Sequence, residues 1–235
     1  KGKSNFAGCE IKGKTLGVIG LGAIGILVAN AAVGLGMEVI GYDPYLSVGN
    51  ALQLNRHVKC VSDPAEVYKE SDYITIHVPL LESTKNTINK DTIAMMKDGA
   101  VVLNFARGGL VNNDDMKEAL ASGKIKKYVV DFPDAETINQ PGIIAIPHLG
   151  ASTEESEDNC AKMAADEIKD FLENGNITNS VNFPNCSLPD DKLGRITVIH
   201  KNFPNVIAKF TDILKDVNIA DMINKSKGDY AYTIM

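Results

Sequence analysis

The stretch Thr15-Leu-Gly-Val-Ile-Gly-Leu-Gly-Ala-Ile-Gly25 decides the fold of this chain. Mostly apolar residues run into a Gly-x-Gly-x-x-Gly pattern, and a long apolar helical stretch follows at once, which predicts a strand, a tight turn and a helix. Gly20 permits the sharp bend, Gly22 lets a ligand approach the backbone, and Gly25 lets the helix pack closely on the strand. Because the first N–H groups of a helix lack partners within it, this turn is a predicted phosphate site.

The next predicted strand, residues 38–43, ends on an acid 18 positions after Gly25. A carboxylate at this place accepts hydrogen bonds from the ribose hydroxyls of a dinucleotide. Asp43 would also repel a 2′-phosphate, and neither Tyr42 nor Pro44 supplies a cation to replace it. The sequence therefore favours NAD over NADP. A purely structural glycine turn is the alternative, and the acid at this spacing argues against it.

Composition limits the class of protein. With 235 residues and 44% hydrophobic content, the chain suits one large or two ordinary domains with a substantial core. A net charge of −6, without Lys/Arg clusters beside aromatic residues, argues against nucleic-acid or anionic membrane partners. The four cysteines form no CxxC motif, so we expect no metal site, reduced thiols and a cytoplasmic location. No apolar run approaches the roughly 18 residues that span a bilayer.

Strands and helices alternate from residue 15 to residue 148, which predicts an α/β fold with a doubly wound parallel sheet. One of these helices is predicted over 114–121 with Asn113 as its N-cap. Such sheets bind ligands beyond the carboxyl ends of their strands. The residues of chemical interest all follow a predicted strand: Asp43, Pro79, Arg107, Asp131 and His148. We therefore expect them to form one site.

A carbonyl that exchanges a hydride with a nicotinamide needs a cation, a proton donor and a group that orients the donor. Arg107 follows a strand end and precedes two glycines, so its guanidinium could bind a carboxylate bidentately, although a surface ion pair is the ordinary alternative. His148 could act as the general acid or base, the alternative being a neutral core histidine. Glu136 could bond the far imidazole nitrogen, or be a solvated loop carboxylate.

Four segments in this order resemble the signatures of the D-isomer specific 2-hydroxyacid dehydrogenases: Gly17–Gly25, Asn104–Val111, Asp131–Glu136 and Pro147–Ser152. The resemblance implies Arg107, Glu136 and His148 as catalytic residues, NAD as the cofactor, and a small 2-hydroxy or 2-keto acid as the substrate. It also implies that Asp131 faces the nicotinamide amide. Together with the glycine turn, the predicted cofactor-binding residues are Gly20, Gly22, Ala23, Ile24, Gly25, Asp43, Val78, Pro79, Phe105, Ala106, Arg107, Asp131, His148 and Gly150.

The remainder of the chain predicts a second kind of structure. A long amphipathic helix begins after Ser152, a predicted N-cap, and ends at Asn174-Gly175; residues 177–189 are interpreted as a linker. The later predicted elements are strands over 195–200, 219–223 and 230–235 and a helix over 206–217. Their order predicts part of a ferredoxin-like α+β module.

Residues 195–205 and 218–220 resemble the start of an ACT domain, a regulatory module that binds serine. The resemblance implies effector contacts at His200, Asn202 and Asn218, the alternatives being a polar strand histidine and a turn asparagine. The expected domains are a Rossmann domain (1–151), the returning helix and linker of a substrate domain (152–189) and a partial ACT-like domain (190–235). The chain begins without Met and ends on a predicted strand, so we expect both termini to be trimmed.

Two other functions stay open at the level of the sequence. A glyoxylate or hydroxypyruvate reductase shares the same motifs but would lack an ACT-like tail. A binding protein that senses NADH would use the same fold without chemistry, and the presence of both Arg107 and His148 argues against it. The family resemblance further implies a homo-oligomer, either a dimer or a tetramer.

Overall fold

The computed structural model describes residues 8–189 and 194–235. The chain divides into two compact units, with the boundary between Leu149 and Gly150. The first unit contains β1 (Thr15–Ile19), α1 (Ala23–Gly34), β2 (Glu38–Tyr42), α2 (Val48–Ala51), β3 (Val58–Val61), α3 (Pro64–Glu70), β4 (Tyr73–Ile76), α4 (Lys90–Met95), β5 (Ala100–Asn104), α5 (Asn113–Ser122), β6 (Ile125–Val130) and β7 (Ile143–Ala145).

All seven strands of the first unit are parallel and lie in the order β3-β2-β1-β4-β5-β6-β7. The first strand, β1, therefore lies in the middle of the sheet; the chain then forms one half outward to β3 and returns to form the other half from β4. This confirms the predicted doubly wound sheet. The strand order reverses between β1 and β4, and crevices at such a switch point are where these sheets bind ligands.

The central strand is covered on both faces, as parallel sheets require. Val18 and Ile19 are 0% and 4% exposed and belong to different hydrophobic clusters. Val18 packs in the cluster that includes Ile26 and Ala29 of α1. Ile19 packs in the larger cluster, which includes Met116 of α5. Alternate residues of one strand thus build two cores, and the carboxyl edge of the sheet is held rigidly between them.

Helix caps explain where several helices begin. Asn113 was predicted to cap α5, and this is wrong: the side chain of Asn112 accepts from the N–H groups of Asp114 and Asp115, both at 3.1 Å. Asn113 is the first helical residue, and its amide donates to Asp134 Oδ2 at 3.0 Å. Two adjacent asparagines offer equal capping chemistry, so the packing of the preceding turn decides between them.

The second unit contains α6 (Glu154–Asn174), β8 (Thr197–Lys201), α7 (Val206–Ile213), β9 (Ile223–Lys227) and β10 (Tyr230–Ile234). The predicted cap of α6 is wrong by one residue, since Thr153 rather than Ser152 accepts from the N–H of Ser156. The helix ends as predicted at Gly175, which adopts a left-handed φ of 69°. Within the described ranges, every helix is too short or too polar to cross a membrane.

The three strands of the second unit form an antiparallel sheet in the order β8-β10-β9. Because β10 lies between β8 and β9, the strand-helix-strand unit is split by the strand that follows it, as in ferredoxin-like folds. The strand predicted over 219–223 is wrong: β9 begins at Ile223, opposite Ile234, and residues 219–222 belong to the connection after α7. The assignment of residues 190–235 to a partial ACT-like domain stays a prediction.

The segment interpreted as a linker packs onto this sheet. Ile177 and Cys186 exchange two backbone hydrogen bonds, at 2.8 and 2.9 Å, and both are buried with Tyr232 and Ile234. The phenolic O–H of Tyr232 donates to Gly175 O at 2.6 Å, which ties the end of α6 to the sheet. The domain boundary predicted at 190 falls at residues 190–193, outside the described residues.

Candidate cofactor and catalytic site

The turn between β1 and α1 contains three glycines, and the space around each of them is different. Gly20 has a φ of +93°, and a Cβ there would lie 2.6 Å from His77 O. A Cβ on Gly25 would lie 1.9 Å from Gly20 O, whereas a Cβ on Gly22 would meet nothing within 4 Å. Helix α1 begins at Ala23 without a side-chain cap. The turn thus presents uncapped N–H groups to open space, which is the chemistry that a pyrophosphate requires.

Asp43 is fixed beside this turn at the end of β2. Its Oδ2 accepts from the N–H of Leu21 at 2.8 Å, and its Oδ1 accepts from the N–H of Tyr45 at 2.8 Å. These two bonds orient the carboxylate while each oxygen keeps a further lone pair. Asp43 can therefore accept from ribose hydroxyls next to the phosphate site, as the sequence predicts.

Asp131 stands at the end of β6 with its side chain 8% exposed. Its Oδ2 lies 2.8 Å from Nδ1 of His148. Its Oδ1 is buried and has no hydrogen-bond partner among the described residues. A buried acceptor without a partner costs about 1–3 kcal/mol, so a donor brought by a ligand would be strongly favoured there. An amide N–H of a nicotinamide fits this requirement.

His148 is thus paired with Asp131, and the contact expected between Glu136 and His148 is not formed in this structure. Glu136 Oε2 instead lies 3.3 Å from Lys117 Nζ and 3.4 Å from Asn113 Nδ2. The reason is local, because the carboxylate of Asp134 accepts from the N–H of Glu136 and holds this turn close to α5. The catalytic role of Glu136 stays a prediction.

The groups around Glu136 have shifted protonation equilibria. Burial of Asp134 by itself raises its pKa, but hydrogen bonds from Thr137 and Asn113 outweigh this and lower the pKa below its ordinary value. Burial lowers the pKa of Lys117, but hydrogen bonds to Glu136 and Asp114 outweigh it and leave this pKa raised. Both shifts favour the ionised forms, so the cluster is a network of charged partners at neutral pH.

Arg107 lies in a turn that a buried asparagine shapes. Asn104 is 1% exposed; its Nδ2 donates to Arg107 O at 2.9 Å and its Oδ1 accepts from the N–H of Ala106 at 3.2 Å. Asn104 is given no such role from the sequence, although an asparagine at a strand end, four residues before the pair Gly108-Gly109, is a turn signal. Among the described residues, Arg107 forms no ion pair, and its guanidinium donates to Ala106 O at 2.7 Å.

One aromatic ring connects the two predicted catalytic groups. The imidazole centroid of His148 lies 4.2 Å from that of Phe132, and the guanidinium carbon of Arg107 lies 5.4 Å from the same centroid. Arg107 and His148 are 41 positions apart in the chain. The structure therefore brings them together at the carboxyl edge of the sheet, where His148 also contacts Oδ2 of Asp131.

The other predicted cofactor residues of the first unit lie at the same edge. Val78 and Pro79 follow β4, and Phe105 and Ala106 follow β5. Ala23 and Ile24 form the first turn of α1, where Ile24 is 66% exposed. Gly150 belongs to the second unit, and its contact with the cofactor stays a prediction.

The predicted effector residues all lie in the second unit, but not in one cluster. His200, on β8, lies 3.1 Å from Asn224 Oδ1 and 3.0 Å from Thr233 Oγ1. Asn202 follows the end of the same strand and donates to a carbonyl in the turn between β9 and β10. Asn218 lines a cavity of about 390 Å³ beside Ile196 and Met235, at the beginning of β8. Their role as effector contacts stays a prediction.

The glycine turn could hold a phosphate, Asp43 a ribose and Asp131 an amide, which are three parts of one dinucleotide, and these residues lie along one edge of the sheet. The first unit is therefore a dinucleotide-binding domain of the nicotinamide-dependent oxidoreductase class. Residues 1–150 match the family model described as "D-isomer specific 2-hydroxyacid dehydrogenase, NAD binding domain". The chain belongs to this family, and the prediction of NAD as the cofactor is confirmed.

Similar proteins extend this result. A D-3-phosphoglycerate dehydrogenase of Methanocaldococcus jannaschii is 40% identical over 200 residues, which cover 83% of this chain and 37% of that protein. A D-3-phosphoglycerate dehydrogenase of Haemophilus influenzae is 36% identical over 229 residues, covering 92% of this chain and 55% of that protein. The crystal structure of a glyoxylate reductase from Paecilomyes thermophila matches with a TM-score of 0.66 and 30% identity, covering 74% of this chain and 54% of that one. The chain thus spans roughly a third to a half of the length of these relatives.

Proposed function

We propose that this chain supplies the cofactor-binding and proton-transferring part of an enzyme that oxidises 3-phospho-D-glycerate to 3-phosphohydroxypyruvate with NAD, a step of L-serine biosynthesis. The observation that carries the chemistry is the placement of Arg107 and His148 on the ring of Phe132. The choice of substrate is supported by the two relatives named as D-3-phosphoglycerate dehydrogenases.

In the proposed reaction, NAD supplies the hydride acceptor when it is bound. His148 removes the proton of the substrate hydroxyl at Nε2, while a carboxylate at Nδ1, which is Asp131 in this structure, fixes the tautomer and the orientation of the ring. Arg107 binds the substrate carboxylate with two parallel N–H donors and polarises the carbonyl oxygen that forms. In the reverse direction His148 returns the proton to this oxygen.

Glu136 is kept in the proposal as the third catalytic residue. To reach His148 it must leave Lys117 and Asn113, both of which lie within 3.4 Å of its carboxylate. Because Nδ1 of His148 carries one N–H, Glu136 can hold it only in place of Asp131. The proposal therefore includes an exchange of the carboxylate at Nδ1, from Asp131 to Glu136, when the cofactor donates to Asp131.

Residues 152–189 are proposed as the returning helix and linker of a substrate domain, and residues 190–235 as the start of an ACT module, with serine as an effector at His200, Asn202 and Asn218. The split strand order β8-β10-β9 supports this assignment. We further propose that the protein acts as a dimer or tetramer. We also propose a cytoplasmic location, because the cysteines form no CxxC motif and are expected to be reduced thiols.

A second candidate is a glyoxylate or hydroxypyruvate reductase, which the structural similarity to a glyoxylate reductase favours. Steady-state oxidation of NADH by the natural full-length protein separates the candidates. The proposal expects the highest kcat/KM with phosphohydroxypyruvate, and a lower rate when serine is added. A higher kcat/KM with glyoxylate or hydroxypyruvate would favour the second candidate. NADH binding without turnover of any 2-keto acid would instead indicate an NADH-sensing binding protein.

A further inference from the structure

We propose that Phe132 is a positioning residue whose ring fixes the orientation of both Arg107 and His148. This inference rests on the proposed function of the site and adds a residue to which the sequence motifs give no role. It follows from how the ring is anchored, from what the ring adds to the Asp131 bond, and from how few other contacts hold the guanidinium.

The ring has a rigid base. Phe132 directly follows Asp131 at the end of β6, is half-buried, and packs against the larger hydrophobic cluster of the first unit. A Cβ built on Gly108 would lie 3.9 Å from the Cβ of Phe132, so the turn that carries Arg107 runs along this residue. Close packing on one side leaves the other parts of the ring as a fixed surface at the edge of the sheet.

His148 is held by two consecutive residues in complementary ways. The hydrogen bond from Nδ1 to Asp131 fixes one atom of the imidazole but leaves rotation about the bond axis. The Phe132 ring, with an interplanar angle of 38° and a centroid distance of 4.2 Å, opposes that rotation. The side chain of His148 is 46% exposed, and Nε2 has no hydrogen-bond partner among the described residues. Both contacts together therefore fix the ring while leaving Nε2 available to a ligand.

Arg107 depends on the ring even more. Among the described residues, the guanidinium makes one hydrogen bond, from Nη1 to the adjacent Ala106 O. The rest of the Arg107 side chain is exposed. The contact with Phe132, at 5.4 Å, is a cation–π interaction that restricts a long and flexible side chain. A substrate that needs two N–H donors at once gains from this restriction, because less conformational freedom is lost on binding.

The test compares Phe132→Leu, which keeps apolar volume but removes the ring, with Phe132→Tyr, which keeps the ring. Phe203→Leu is the matched control, since it removes a similar contact, 5.1 Å from Lys209 Nζ, in the second unit. NMR spectra of histidine-labelled protein, assigned with His148→Gln, report the ring-current shift of the His148 protons. Steady-state kinetics with a 2-keto acid and NADH report catalysis.

We expect the His148 protons of the unchanged protein to be shifted by the Phe132 ring current, and the shift to be lost in Phe132→Leu and kept in Phe132→Tyr. The Leu variant is expected to lose roughly tenfold to hundredfold in kcat/KM for the keto acid, the scale of a small misplacement, with Kd for NADH within about twofold. Phe203→Leu should change neither quantity.

Absence of the ring-current shift in the unchanged protein would overturn the proposal, even if Phe132→Leu fails to fold. Equal losses in folded Phe132→Leu and Phe132→Tyr would also overturn it. If the shift behaves as expected but the full-length protein turns over no 2-keto acid, the result would support the positioning role of Phe132 and reject the proposed function instead.

Discussion

Replacing Gly25 or Gly22 by alanine should separate folding from cofactor binding within one turn. The two positions are three residues apart, and the same methyl group is added at each. At Gly25 the new Cβ would lie 1.9 Å from the backbone oxygen of Gly20. At Gly22 it would enter open space, with nothing within 4 Å.

The magnitude follows from what the methyl group meets. A backbone atom cannot turn aside as a side chain does, so Gly25→Ala must displace α1 from β1, at the upper end of the ~1–3 kcal/mol typical of overpacking. Alanine's higher helix propensity returns up to about 1 kcal/mol. The net loss is about 2 kcal/mol in the free energy of unfolding, or roughly 4–8 °C in Tm for a chain of this size. Gly22→Ala replaces an N-cap glycine and should cost less, within about 1 kcal/mol.

Cofactor binding should show the opposite order. The methyl group of Gly22→Ala occupies the space through which a pyrophosphate approaches the N–H groups of α1, and we expect Kd for NADH to rise at least about tenfold, equivalent to ~1.4 kcal/mol. Differential scanning calorimetry measures stability, and NADH fluorescence titration measures binding. The reasoning is refuted if Gly25→Ala has the same Tm as the unchanged protein. It is also refuted if the Kd of Gly22→Ala for NADH equals that of the unchanged protein.

Three further substitutions test the remaining parts of the site and fold. Arg107→Ala should abolish turnover and leave Kd for NADH within a few fold; a full-length variant with normal kcat would contradict its role. Asp43→Ala should reduce the preference for NAD over NADP in competing titrations, and an unchanged ratio would remove Asp43 from the ribose site. Burial by itself raises the pKa of Asp72, but hydrogen bonds from the N–H of Thr15 and the ammonium of Lys97 outweigh burial and leave this pKa below its ordinary value. Its stabilising effect is therefore present above the unfolded-state pKa and lost as the pH falls through the folded one, so Asp72→Asn should flatten the acid side of the urea-midpoint curve. An unchanged acid slope would show that this carboxylate does not stabilise the fold.

The fold of the first unit could be predicted because its signals are local. Apolar strands, glycine turns and Asx caps alternate along the sequence, and parallel topology follows from that alternation. The bounds of elements were less accessible. The strand β9 shares only Ile223 with the strand predicted over 219–223. Its residues Asn224 to Lys227 are polar and give no strand pattern, and its register is set by pairing with β10. The cap of α5 is Asn112 rather than the predicted Asn113 for the same reason, because tertiary contacts choose between equivalent local chemistries.

The candidate site shows the same division. The sequence places Arg107, Asp131 and His148 at strand ends, and strand ends of a parallel sheet share one edge. It could not decide which carboxylate pairs with His148, because Asp131 and Glu136 are five residues apart and the conformation of the turn between them selects the partner. Phe132 has no signal in a motif reading, since a phenylalanine after a strand is ordinarily part of a core.

The reversal of strand order at β1 divides the residues of the candidate site between two halves of the sheet. Strands β1 to β3 carry the glycine turn and Asp43, whereas β4 to β7 and the loops after them carry Arg107, Asp131 and His148. Changes of cofactor preference and changes of substrate chemistry would therefore fall on different halves of the sheet, where their free energies should add. Mutation, by design or in evolution, could therefore change the cofactor preference while the substrate chemistry is retained, or the reverse.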